Sequence, residues 1–157
     1  MSDTTEVFST AGITLLVAVV VFGVFVGLYW GVRGFLPGSR VYEQDLPEPN
    51  DLDKNNAVFR MFYVNWCPHC RDAKPKWDSL GQLFKNQVYT YGGKTVTLEK
   101  VNCELEKGKC ARYKVNAYPT FKVETNQKVY EYVGPADPTV WRTFLGSALG
   151  REQIVAS

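Results

Sequence analysis

Residues 58–64 read VFRMFYV and run straight into Asn65-Trp66-Cys67-Pro68-His69-Cys70. A continuous apolar-rich run of this length, built from branched and aromatic side chains, predicts a buried strand. Beyond it, Cys70, Ala73, Trp77, Leu80 and Phe84 recur at steps of three and four. Arg71, Asp72, Lys74, Lys76 and Asp78 fall on the other side of the same spiral. That pattern predicts an amphipathic helix of about four turns. Two cysteines three residues apart therefore stand where a strand hands over to a helix.

The position carries chemistry. At a helix N-terminus the free N–H groups and the dipole favour a thiolate on Cys67. Pro68 fits the first turn without losing a hydrogen bond. His69 adds a positive charge or a donor beside the sulfur. Cys70 opens the buried stripe, so the expectation is an exposed Cys67 and a sheltered Cys70. Thiol–disulfide exchange needs that asymmetry: Cys67 attacks or is attacked, and Cys70 resolves the mixed disulfide. Half of a zinc site is the competing reading of such a pair, but structural zinc takes four ligands, usually as two close pairs. Cys103 and Cys110 are seven residues apart, so no metal and no cofactor is expected.

Working outward, Gly92-Gly93 marks a loop and Thr95 to Asn102 the next strand. Glu104 to Lys114 predicts a short helix, and Thr120–Glu124 and Lys128–Val133 two antiparallel strands around a Thr-Asn-Gln turn. Asp137-Pro138 starts a last helix whose apolar face is Val140, Trp141, Phe144, Leu145, Ala148 and Leu149. The expected order is β-α-β-α-β-β-α over residues 57–150, with a tail at 151–157.

The N-terminal part is different in kind. Residues 1–10 carry only acids, and Ala11 to Trp30 is a run of 20 residues without a charge. As a helix it would be about 30 Å long, the thickness of a bilayer core. Tyr29-Trp30 suits an interface and Arg33 follows at once. A cleaved signal peptide wants a basic start and a shorter apolar run, so residues 11–32 are expected to be a retained single-pass anchor in a lipid bilayer. Gly23, Gly27 and Gly31 line one face of it and would admit a helix partner. Residues 33–56, polar, acidic and containing Pro47 and Pro49, read as a tether rather than packed structure. From Ala57 onward there are 15 Lys/Arg against 9 Asp/Glu. These charges are scattered without a stacking aromatic motif, which argues against nucleic acid.

Residues 58 to about 150 resemble the thioredoxin superfamily, and in particular the catalytic domains of protein disulfide isomerase. The matching text is FYVNWCPHC, Pro75 eight residues after Cys67, KVNCELEKGKCARYKVNAYPTFKV at 100–123, and Tyr-Val-Gly at 132–134. The resemblance implies an α/β thioredoxin-like fold, a mixed sheet flanked by helices. It implies that Pro119 is cis and faces the active-site pair, with the Tyr118 backbone and Trp66 meeting the substrate strand. The Pro-His dipeptide resembles that of a bacterial periplasmic oxidant, which implies a couple more oxidising than thioredoxin's. Cys103 and Cys110 match a second pair that is bridged in some endoplasmic-reticulum members; two free structural thiols remain open.

Two departures stand out. The family's buried carboxylate, six residues before the first cysteine, is Met61 here, and its companion lysine, a proton-transfer auxiliary, is Lys100 without its acid. The opening strand and helix of full thioredoxin are also absent, which implies a trimmed fold. The functional expectation is a membrane-anchored thiol–disulfide oxidoreductase or isomerase acting on protein thiols and disulfides, with a flavin-linked sulfhydryl oxidase as electron partner. The alternative is a structural or interaction protein joining a membrane to a protein shell, such as a virion component, since small anchored proteins of this kind occur in large DNA viruses. Arg33 and Arg40 after the span, with no base before it, favour the cytoplasmic face over the lumenal one.

Overall fold

The computed structural model describes residues 17–25, 40–46 and 50–155. The chain forms two compact units, residues 1–37 and 38–157. In the first, residues 17–25 are a helix (α1) with exposed side chains. Among the described residues no helix is long and apolar enough to cross a membrane. The rest of the span expected at 11–32 lies outside the described residues, as do Gly27 and Gly31; Gly23 has open space around it.

The second unit is built on the strand that the apolar run predicts, β2 (Asn56–Tyr63), followed by α2 (Pro68–Asn86). The chain continues through β3 (Val88–Tyr91), β4 (Lys94–Asn102), α3 (Lys107–Arg112), β5 (Thr120–Glu124), β6 (Lys128–Val133), α4 (Pro138–Leu149) and β7 (Glu152–Val155), with β1 (Arg40–Asp45) ahead of β2. The strands form one sheet in the order β1-β6-β5-β2-β4-β3-β7. β2 and β4 are parallel, in the register Met61↔Lys100, and the other pairings are antiparallel. This is a thioredoxin-like α/β fold on a mixed sheet.

Alternation along β2 splits the core in two. Ala57, Phe59 and Met61 belong to a cluster with Ala73, Trp77 and Leu80 of α2 and with Trp141, Phe144 and Leu145 of α4. Phe59 lies 4.8 Å from Trp77 between ring centroids, and Phe121 lies 4.8 Å from Trp141. Phe62 and Val64 belong to the second cluster, with Cys67, Cys70, Val101, Tyr113 and the Cys103–Cys110 pair. Asp137 caps α4 by accepting from the backbone N–H groups of Thr139 and Val140, as its sequence leads one to expect.

Three features depart from the sequence reading. Residues 40–45, read as tether, are a strand that pairs with β6 along its whole length, Arg40↔Val133 to Asp45↔Lys128. Its Gln44 amide nitrogen donates to Glu131 at 3.0 Å and its oxygen accepts from Lys122 at 3.1 Å. Lys122 is only 1% exposed and ion-paired with the half-buried Glu131 at 2.7 Å, so the strand covers a charge pair whose ammonium is buried. The second departure is β3, a short strand that turns back through Gly92 and Gly93, both at positive φ (57° and 78°). A Cβ at Gly92 would lie 2.0 Å from the Leu149 carbonyl oxygen, so this turn requires glycine. The third is the tail, where residues 152–155 form β7 against β3, held by Glu152 to Arg142 at 2.9 Å and to the Tyr91 hydroxyl at 2.5 Å.

Candidate redox site

β2 ends at Tyr63, and residues 64–67 carry the chain to the start of α2. Cys67 is the N-cap, with extended backbone (φ −79°, ψ 119°), and Pro68 opens the first turn. The Cys67 sulfur accepts the Cys70 N–H at 3.4 Å. This satisfies one of the donors that a helix start leaves free. The Cys67 thiol donates in turn to the Tyr118 carbonyl at 3.5 Å. The loop before β5 contains the cis Tyr118–Pro119 bond and brings the Tyr118 carbonyl to the sulfur, 51 positions along the chain.

The expected contrast between an exposed Cys67 and a sheltered Cys70 needs correction. Both thiols are buried, Cys67 at 5% exposure and Cys70 at 0%. The Tyr118 carbonyl on one side and the Cys70 amide on the other take up the surroundings of the Cys67 sulfur. Burial pushes the Cys70 thiol up to about 11. The neighbouring Cys67 adds to that rise, while the Val64 backbone and the Lys74 charge pull against it. Trp66 is 70% exposed and meets the Tyr118 ring edge-on, with centroids 6.3 Å apart. His69 is exposed and lines a groove of about 550 Å³ with Asp72 and Lys76 of α2 and with Tyr118, Pro119 and Tyr132 across from it.

Lys100 is not without an acid. Its ammonium pairs with Asp78 of α2 at 2.8 Å, with both side chains largely exposed, while Met61, its register partner, is 0% exposed in the core. Cys103 and Cys110 are bonded to each other, with Cα atoms 5.7 Å apart. The bridge ties the end of β4 to α3, and neither sulfur remains as a ligand for metal.

Polar groups that no motif in the sequence announces hold the loop between β2 and α2. The Asn65 N–H donates to Glu104 Oε2 at 2.9 Å, and Lys74 Nζ donates to Asn65 Oδ1 at 3.2 Å. The same ammonium stands 4.0 Å from the centre of the Tyr63 ring. Four residues separate Lys74 from Cys70, one turn of helix; that spacing was the available signal, and the charge stripe hid it.

The geometry fits what comparison with known proteins finds. The thioredoxin family model matches residues 45–145. The chain is 34% identical over 86 residues to a probable protein disulfide-isomerase A4 of Caenorhabditis elegans, covering 55% of this chain and 13% of the relative. It is 29% identical over 94 residues to protein disulfide isomerase-like 5-1 of Oryza sativa subsp. japonica, covering 59% of this chain and 60% of that one. The chain thus spans less than two thirds of either relative. The solution structure of the first thioredoxin domain of mouse protein disulfide-isomerase A4 superposes with a TM-score of 0.51 at 20% identity, over 60% of this chain and 64% of that one; this likeness is one of fold.

Proposed function

The chain belongs to the thioredoxin family, and from that premise we propose that it is a thiol–disulfide oxidoreductase acting on cysteines of protein substrates. Cys67 is the attacking thiol and Cys70 the resolving one. Pro68 and His69 shape the turn between them, and Trp66, Tyr118 and Pro119 meet the substrate. One observation carries this reading: the Cys67 sulfur sits at a helix N-cap, between the Cys70 N–H and the carbonyl preceding a cis proline. The test is equilibration in glutathione buffers of graded poise. A two-electron transition confined to Cys67 and Cys70 supports the reading; no transition, or one that survives Cys67→Ser, overturns it.

The uncharged run at 11–30 supports a single-pass membrane anchor, and Arg33 and Arg40 favour a cytoplasmic domain. A cysteine added after Ser157, labelled by an impermeant reagent only once oriented vesicles are opened, would assign the face. A flavin-linked sulfhydryl oxidase remains the electron partner of choice, and its oxygen uptake on addition of the reduced chain tests that pairing. Met61 and the burial of both thiols favour a second reading, a thioredoxin fold kept as a structural or interaction module. A chain without a measurable couple that is still required for assembly would select it.

A further inference from the structure

Resolution of a mixed disulfide asks Cys70 to become a thiolate in a place where nothing exposes it to water. In the step, the Cys70 thiol first gives its proton to solvent, the thiolate so formed attacks the Cys67 sulfur, and the Cys67–Cys70 bond forms as the bond from Cys67 to the substrate sulfur breaks. The substrate sulfur leaves as a thiolate and takes a proton from water. Over the whole exchange the cysteine pair is oxidised to a disulfide and the substrate disulfide is reduced. The usual buried carboxylate is replaced by Met61, and Lys100 is occupied with Asp78 at the surface. Some other group must make the buried anion tolerable.

We propose that Lys74 is a positioning residue for this step, its ammonium fixed one helical turn beyond Cys70 so that its charge stabilises the resolving thiolate. Two contacts hold it there, the Asn65 side-chain oxygen at 3.2 Å and the Tyr63 ring at 4.0 Å. Asn65 is itself pinned by Glu104, so the ammonium is tied to the loop that carries Cys67 through an exposed contact, while the residue as a whole is half-buried. Among the other titratable or charged groups on the elements around Cys70 are Tyr63 of β2, Cys67 at the N-cap, His69, Arg71 and Asp72 of α2, Glu104 after β4, Tyr113 beside α3 and Tyr118 before β5. His69, Arg71 and Asp72 are exposed, where water screens them. The Val64 backbone opposes the effect of burial at Cys70 most strongly, and the Lys74 charge adds to that opposition.

This inference deepens the oxidoreductase reading and rests on it, but its test does not require exchange activity. In a Cys67→Ser background, with Cys103 and Cys110 bridged, the rate of iodoacetamide alkylation at the Cys70 peptide is read by mass spectrometry at neutral pH. At pH values far below its pKa, that rate is proportional to the thiolate fraction. Lys74→Met should slow it by roughly three- to tenfold, and Lys74→Arg should restore it. Lys74→Gln, which keeps a donor for Asn65 and lacks the charge, should slow it as Met does. Added salt should slow the Lys74 chain and leave the Met chain unchanged. Equal rates for Lys74, Met and Gln, or a loss that Arg does not repair, would overturn the proposal. A chain with a normal redox couple and no Lys74 effect would refute this inference alone; a Lys74 effect without any couple would refute the oxidoreductase reading alone.

Discussion

Met61 and Lys100 stand opposite each other on the parallel strands β2 and β4, yet the Lys100 ammonium reaches Asp78 on α2, 2.8 Å away, and the methionine stays in the core. An acid–base pairing between these two positions is therefore replaced by a buried methionine and a surface ion pair. Exposed pairs of this kind contribute little to stability.

Restoring the acid should have two opposed effects. Met61→Asp restores a buried carboxylate six residues before Cys67 and should speed release of the mixed disulfide. Burial of that carboxyl without good partners should cost about 2–3 kcal/mol. Stopped-flow resolution and urea midpoints read the two separately. A folded variant whose resolution is no faster would sink this account of Met61.

The roles of the two thiols are separable by trapping. Cys70→Ala should accumulate substrate-linked mixed disulfides through Cys67, whereas Cys67→Ser should trap almost none, because Cys70 is wholly buried. Non-reducing gels followed by peptide mapping give the count. Equal trapping by both variants would contradict the assignment.

Acid should unfold the domain through a specific pair of carboxylates. Glu124 is 3% exposed. Burial alone would raise its pKa, but hydrogen bonds from Tyr113 at 2.6 Å and Asn50 at 2.5 Å, together with the Arg60 charge, hold it lower. Burial likewise works against Glu99, and its bonds to Lys109 and Arg60 outweigh it. A folded pKa below the unfolded one stabilises above the unfolded value, about 4.3, and that stabilisation is lost as pH falls through the folded pKa. Urea midpoints should be flat near neutrality and drop in that acid window. Glu124→Gln should lower the neutral midpoint and flatten the drop; an unchanged acid slope would contradict the linkage.

The strand at residues 40–45 should be worth measuring through one side chain. Gln44→Ala removes both hydrogen bonds to the Lys122–Glu131 pair, of which Lys122 is buried, and bonds to charged groups contribute about 1.5–3 kcal/mol each. A loss of about 2–4 kcal/mol is expected by chemical denaturation. A change within a few tenths would mean that water replaces the glutamine freely.

What the sequence made legible follows from how much of each element is buried. β2, α2, β5, β6 and α4 carry their faces into the two core clusters, so their periodicity is strong. β1 and β7 are edge strands, mostly exposed, with sequences RVYEQD and EQIV. An edge strand is held by backbone pairing and a few polar contacts, neither of which leaves a hydrophobic pattern. The cysteine pair, its place at the helix start and the cis proline were legible from the motif and the family resemblance. The burial of Cys67 was not, because it depends on a carbonyl delivered by a loop 51 residues away. Lys74 was hidden for a related reason: its partners, Asn65 and Tyr63, precede the helix on which its position was read.

Trp66 gives the site an optical handle. Of the described tryptophans, Trp77 and Trp141 are 3% and 0% exposed, while Trp66 is 70% exposed and adjoins Cys67 in sequence. Its indole should emit at longer wavelength than the two core indoles and be the one among them that a soluble quencher reaches. Sulfur in its thiolate and disulfide forms quenches a neighbouring indole, and a bound polypeptide would shield it. Emission at the red edge can therefore follow both the oxidation state of the cysteine pair and the arrival of a substrate, in the unlabelled chain and in real time.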